Sequence, residues 1–250
     1  MTNPDNFTLS CRYYQGFPFE APVGYVTNEL ELRKSRTAFL IIDVYGLGFD
    51  EDSPASQVSD LYVVTRDYYK DVVVNHIKPA KVAAKKIGLP IIYLCNYLAP
   101  STTIHNQWRQ MSLRGLNVDV LDEWREPTDI FKYSKVIAPE PGEYEIKKQH
   151  YSGFFETHLE SLLKELDVKD LVVVGFDGLM CLHTTVIDAL FRNYRVVVLR
   201  DCVGTLEFAD TLQDRTCHWL AIRYIESNVG YTSTSGEFIQ AADRTLALLP

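Results

Sequence analysis

Three residues have the types and the placement for chemistry on a carbonyl group: Asp43, Lys148 and Cys181. Cys181 follows the apolar run DLVVVGF and opens the helical pattern CLHTTVIDALFRNY, so it sits at a helix N-terminus. Unpaired backbone N–H groups and a partial positive charge there favour thiolate over thiol, and the same N–H groups can hold an oxyanion. Gly178, just upstream, permits a tight strand-to-helix turn that brings those amides close to a bound carbonyl. Asp43 ends the run TAFLIIDV and suits a general base that takes the thiol proton and returns it to a departing nitrogen. Lys148 ends YEIKK and can keep the acid ionised and steady developing negative charge. Each also has an ordinary reading: a buried inert cysteine, a capping acid, and a surface lysine such as its neighbour Lys147.

Positioning these groups requires a parallel sheet. TAFLIIDV, PIIYLCNY, DLVVVGF and RVVVLRD are short continuous apolar runs, the pattern of strands buried on both faces. A helical stretch from about Asp60 to Lys86, closed by Gly88 and Pro90, separates the first two. YSGFFETHLESLLKEL, with Leu159, Leu162, Leu163 and Leu166 on one face, reads as a helix, as do CLHTTVIDALFRNY and FADTLQDRTCHWLAIRYIE. NVGYTST reads as a last strand and the chain from Gly236 as a closing helix. The expected fold class is therefore α/β, a three-layer α-β-α arrangement of a mostly parallel sheet with helices on both faces. Ligands in such folds gather beyond the carboxyl ends of the strands, where Asp43, Lys148 and Cys181 fall. Residues 98–141 carry no clear period, too long a stretch for an ordinary connection, and read as a functional loop or lid.

With 250 residues and 46% apolar content, the chain reads as a single domain over 1–250, with residues 1–36 as an N-terminal extension. A net charge of -8 spread along the chain, without a Lys/Arg block, argues against nucleic acid as a partner. No apolar stretch has membrane-spanning length and the first residues lack a signal-peptide pattern, so the expectation is a cytoplasmic protein with no membrane partner. Five widely spaced cysteines without a CxxC suit free thiols. The six histidines form no convincing ligand pair, and neither a metal nor another cofactor is expected.

Taken in order, AFLIIDV, KQHYSGFF and GFDGLMCLHTTVIDA, with DCVGT after the next strand, resemble the isochorismatase-like cysteine hydrolases, nearest in appearance to the ureidoacrylate and biuret amidohydrolases. The likeness spans most of the chain, and Gly175, Cys181, Thr185, Asp188 and Ala189 fall at the family's spacing. It implies a triad of Asp43, Lys148 and Cys181, an oxyanion hole from the backbone N–H groups of Met180 and Cys181, and a non-proline cis peptide near Asp177 and Gly178. It implies a cysteine-dependent amidohydrolase cleaving a C–N bond of a small amide or ureide through a thioester, and a homodimer or homotetramer. Two departures stand out: Val44 and Tyr45 follow Asp43 where many members read Met-Gln, and the Asp-x-His metal motif of nicotinamidases is missing.

For the substrate, the candidates are Tyr45, Phe49, Trp108 and Asp177 as lining residues, Asn96 and Gln107 as donors, and Arg109 as an anchor for a carboxylate. Two readings from other classes compete. One is a non-catalytic binding or assembly protein on the same fold; the other is a thiol redox protein, which requires a resolving cysteine near Cys181.

Overall fold

The computed structural model describes residues 5–46, 50, 67–97 and 131–247. Among them the expected runs form the strands β3 (Thr37–Ile42), β4 (Ile91–Asn96), β5 (Tyr144–Lys148), β6 (Asp170–Phe176), β7 (Arg195–Gly204) and β8 (Tyr231–Ser233). Two further strands, β1 (Asn6–Gln15) and β2 (Gly24–Arg33), precede them as an antiparallel hairpin that the sequence reading of residues 1–36 did not foresee. The sheet order is β2-β1-β8-β7-β6-β3-β4-β5, parallel from β8 to β5, with the hairpin added antiparallel at the β8 edge.

Continuous apolar strands are buried on both sides, and β3 shows it directly. Phe39 and Ile41 face one core with Phe238, Ala241 and Ala84, whereas Ala38, Leu40 and Ile42 face the other with Leu159, Leu182 and Val186. The first layer holds α1 (Lys78–Lys86), which continues the π-helical segment Val72–Ile77, and α5 (Ser235–Ala247). The second holds α2 (Leu159–Glu165), α3 (Cys181–Phe191) and α4 (Thr216–Asn228). The hairpin adds Phe7, Leu9, Cys11 and Leu32 to the first core by strand alternation. No described helix is long and apolar enough to cross a membrane.

Two helices start later than the sequence suggests. In 151–158 the amides a helix would use are already engaged: Gly153 N–H donates to Thr185 Oγ1 and Phe154 N–H to Ser152 Oγ, so α2 begins only at Leu159. In 208–215 the chain turns instead, and α4 begins at Thr216, where the Glu207 carboxylate accepts the N–H groups of Cys217 and His218.

Chain order places the switch point between β3 and β6. From β3 the chain runs outward through β4 and β5, and from β6 it runs the other way through β7 and β8. The crevice beyond the carboxyl ends of β3 and β6 is where such a sheet receives a ligand.

Candidate active site

Asp43 leaves the end of β3 and Cys181 follows β6, so the two flank that crevice, while the parallel register pairs Asn96 at the end of β4 with Lys148 at the end of β5. Asp43 holds a left-handed backbone (φ 50) with its N–H donating to Leu94 O at 3.1 Å, an unusual conformation that short polar residues tolerate best. Strand alternation separates the two lysines. Ile146 and Lys148 are buried, whereas Lys147 is exposed, its ammonium 4.8 Å from the centre of the Tyr97 ring.

The Lys148 side chain is fully buried, and its Nζ lies 2.7 Å from Asp43 Oδ2. It also donates to Asn96 Oδ1 and, at 3.2 Å, to the His150 carbonyl. Burial pulls a lysine toward neutrality, but the charge on Asp43, the Cys181 thiol and their hydrogen bonds outweigh it, and Lys148 is held above its ordinary value. The cation is therefore permanent at neutral pH. A buried ion pair is weak evidence for stability, since desolvation offsets the attraction; its presence beside a thiol points to use.

Cys181 is buried at the first position of α3, close enough to Asp43 and Lys148 for both charges to act on its thiol. The expectation of a favoured thiolate is corrected here. Burial and then the Asp43 carboxylate push the thiol well up, and Lys148 opposes them only in part. A thiolate beside an ionised carboxylate is disfavoured more than a helix N-terminus compensates. Cys181 thus rests as a thiol.

Around Cys181 the backbone is tied at several points. Thr185 Oγ1 donates to the Cys181 carbonyl at 2.6 Å and receives Gly153 N–H at 3.0 Å, and Ser152 Oγ donates to Asp188. The YSGFF segment is therefore the strap from the Lys148 strand to the Cys181 helix, and it packs closely enough that a Cβ at Gly153 would stand 2.3 Å from a terminal methyl of the Leu94 side chain, which would have to shift. The Phe176–Asp177 bond is cis, involving Asp177 from its N-terminal side. Gly175 (φ +121) faces the β3 backbone so closely that a Cβ would lie 2.1 Å from Ile42 O and 2.7 Å from Ile42 N. Gly175→Ala is expected to cost at least about 3 kcal/mol, because rigid backbone cannot yield as a side chain can. A thermal midpoint equal to that of the wild type would overturn this account.

The other sequence candidates fare differently. Tyr45 is buried, its hydroxyl donating to Asp43 Oδ1 at 2.6 Å and accepting Asn96 N–H at 2.7 Å, which makes it a support of Asp43. Asn96, foreseen only as a donor, spends Oδ1 on Lys148 and keeps its NH₂ group. Asp177 ties its loop: Oδ1 accepts Leu179 N–H at 2.8 Å and Oδ2 accepts Leu206 N–H. Burial pushes its carboxyl up to about 6 against those two hydrogen bonds. Met180 N–H donates to Asp177 O at 3.1 Å, while Cys181 N–H has no hydrogen-bond partner among the described residues and is the freer oxyanion donor. Phe49, Gln107, Trp108 and Arg109 lie outside the described residues. All five cysteines are free and buried. No cluster of three His, Cys, Asp or Glu side chains suited to a metal occurs among the described residues. The Tyr45 and Asn96 contacts escaped sequence reading because each joins strand ends distant in the chain; the Val-Tyr departure after Asp43 was the one available signal.

Comparison with known proteins places this geometry in context. A family model described as the isochorismatase domain matches residues 37–237. A ureidoacrylate amidohydrolase, RutB, of Pantoea ananatis is 29% identical over 221 residues, covering 82% of this chain and 82% of the relative. A maleamate amidohydrolase of Pseudomonas putida is 30% identical over 132 residues, covering 50% of this chain and 62% of the relative. A cysteine hydrolase from Pseudomonas syringae pv. phaseolicola superposes with a TM-score of 0.71 at 21% identity, over 86% of this chain and 95% of that structure, a likeness of fold.

Proposed function

This chain belongs to the isochorismatase family, and we propose that within it the chain is a cysteine-dependent amidohydrolase that cleaves a C–N bond of a small ureide or amide. One observation carries the reading: a buried Asp43–Lys148 ion pair from two strand ends lies beside the buried thiol of Cys181, which starts a helix from a third segment. The amidohydrolase names of the relatives support the reaction class.

In the proposed reaction Cys181 Sγ attacks the substrate carbonyl carbon while its proton passes to Asp43. The Cys181 N–H holds the resulting oxyanion, and Lys148 offsets the charge gathered beside it. Collapse breaks the C–N bond, Asp43 gives the proton to the leaving nitrogen, and a thioester remains. Water then attacks it, losing a proton to Asp43, which returns that proton to the sulfur as acid and thiol separate. A carbamoyl acid formed this way decomposes to carbon dioxide and ammonia. The Asn96 NH₂ group, held in place by the Lys148 contact, is suited to donate to a substrate carbonyl.

A thiol redox role is less well supported, because a thiol whose ionisation is pushed up reacts slowly with peroxide. The test is ammonia release from biuret, triuret, a ureidoacrylate-type acid, N-carbamoyl amino acids, maleamate and nicotinamide after EDTA treatment. Turnover of a ureide that survives EDTA is expected. Silence across the panel refutes the ureide reading, and EDTA-sensitive turnover refutes the metal-free mechanism.

A further inference from the structure

Tyr45 is the one buried hydroxyl within hydrogen-bond reach of Asp43 among the described residues, and its surroundings leave it a single function. Its oxygen accepts Asn96 N–H at 2.7 Å, which turns the O–H proton toward Asp43 Oδ1 at 2.6 Å. The ring is clamped as well. Tyr45 bridges Tyr133 in antiparallel fashion, Ser134 N–H donates to Val44 O at 3.2 Å, Gly46 N–H to Lys132 O at 3.1 Å, and the Phe131 ring centre lies 5.2 Å away. The hydroxyl is thus rigidly placed between the ends of β3 and β4.

Asp43 must receive and release the same proton in each half-reaction, so which of its oxygens carries it matters. Oδ1 is occupied by Tyr45, whereas Oδ2 faces Lys148 and lacks a well-directed hydrogen bond. We propose that Tyr45 is the positioning residue that commits Oδ1 of Asp43, leaving Oδ2 as the oxygen that exchanges the proton with Cys181 and the leaving group. This deepens the proposed reaction and rests on its general base. The phenol stays protonated throughout, since burial and then the Asp43 charge push its ionisation far up, so it acts as a fixed donor and not as an acid. The titratable groups facing this pair are Lys148 on β5, Cys181 on α3, Cys95 on β4, and Tyr133.

The experiment follows alkylation of Cys181 by iodoacetamide against pH, read by mass spectrometry, with ammonia release measured in parallel. Three proteins are compared: wild type, Tyr45→Phe, and Tyr45→3-fluorotyrosine, whose hydroxyl is a stronger donor on nearly the same shape. Loss of the hydroxyl is expected to move the acid limb of the Cys181 profile up by about one pH unit, and fluorination is expected to move it down. A merely structural role lowers the thermal midpoint but leaves the limb in place. Should Tyr45→Phe fail to fold, the fluorinated protein decides alone. Limbs that stay fixed, or that move in the same direction in both variants, overturn the proposal. Limbs that move as expected while the whole substrate panel is silent sustain the role of Tyr45 and refute the amidase reading instead.

Discussion

Cys181→Ala is expected to lower kcat by at least about four orders of magnitude on any substrate the wild type turns over, with little change in fold. The reason is structural. Cys181 is the cysteine at a helix start beside the Asp43–Lys148 pair, whereas the Cys95 thiol is turned toward the Asn96 and Phe131 carbonyls, so no second nucleophile is placed to take over. Removing one buried sulfur costs on the order of 1 kcal/mol, while the ion pair behind it and the Thr185 link to the residue 181 carbonyl are retained. Cys181→Ser tests the chemistry more finely: the hydroxyl fits the site but yields its proton far less readily, and a loss of similar size is expected. Steady-state ammonia release, with circular dichroism to confirm the fold, measures both. Residual activity above about a tenth of wild type in the alanine variant would sink the assignment of the nucleophile.

Lys148→Met should damage activity and stability together. Methionine keeps the unbranched shape but removes a cation that Asp43, buried at 5% exposure, has as its counter-charge. Breaking one side of a buried pair costs about 3–5 kcal/mol, because the remaining charge is left without compensation. An unpaired buried carboxylate favours its protonated form, so folding then takes up a proton and the variant loses stability as pH rises from acid to neutral. The gap to wild type in urea-unfolding free energy is therefore expected to be larger at pH 7.5 than at pH 4.5. Adding Asp43→Asn should close much of that gap while leaving the enzyme inactive. A gap independent of pH would show that lost packing, not the stranded charge, is responsible. In the wild type the sign at alkaline pH follows from the raised Lys148 value: its contribution is full below the ordinary lysine range and is lost as pH rises through the value held in the fold.

Much of the fold was legible because buried parallel strands write themselves as unbroken apolar runs. TAFLIIDV, PIIYLCNY and DLVVVGF each became a strand within a residue or two of the expected place. The hairpin of residues 6–33 was not legible. Its strand β2 buries little beyond Leu32 and so lacks the clear alternation that marks a half-buried strand. The late starts of α2 and α4 were hidden for a related reason, since the side chains that claim their first amides, Thr185 and Glu207, are far away or outside the helical pattern.

By itself the sequence determined which residues are the candidates for the proposed chemistry, because a strand end and a helix start are local features, and local patterns place Asp43, Lys148 and Cys181 on them. Only the tertiary structure decided their ionic states and their supports. Whether a thiol is ionised depends on burial and on the charges around it, and those come from β3 and β5, more than thirty residues away in the chain. The same holds for Tyr45 and Asp177. Hydrogen bonds to Asp43 and Asn96 in one case, and to Leu179 and Leu206 in the other, tie their side chains to the site, and Asn96 and Leu206 come from elsewhere in the fold.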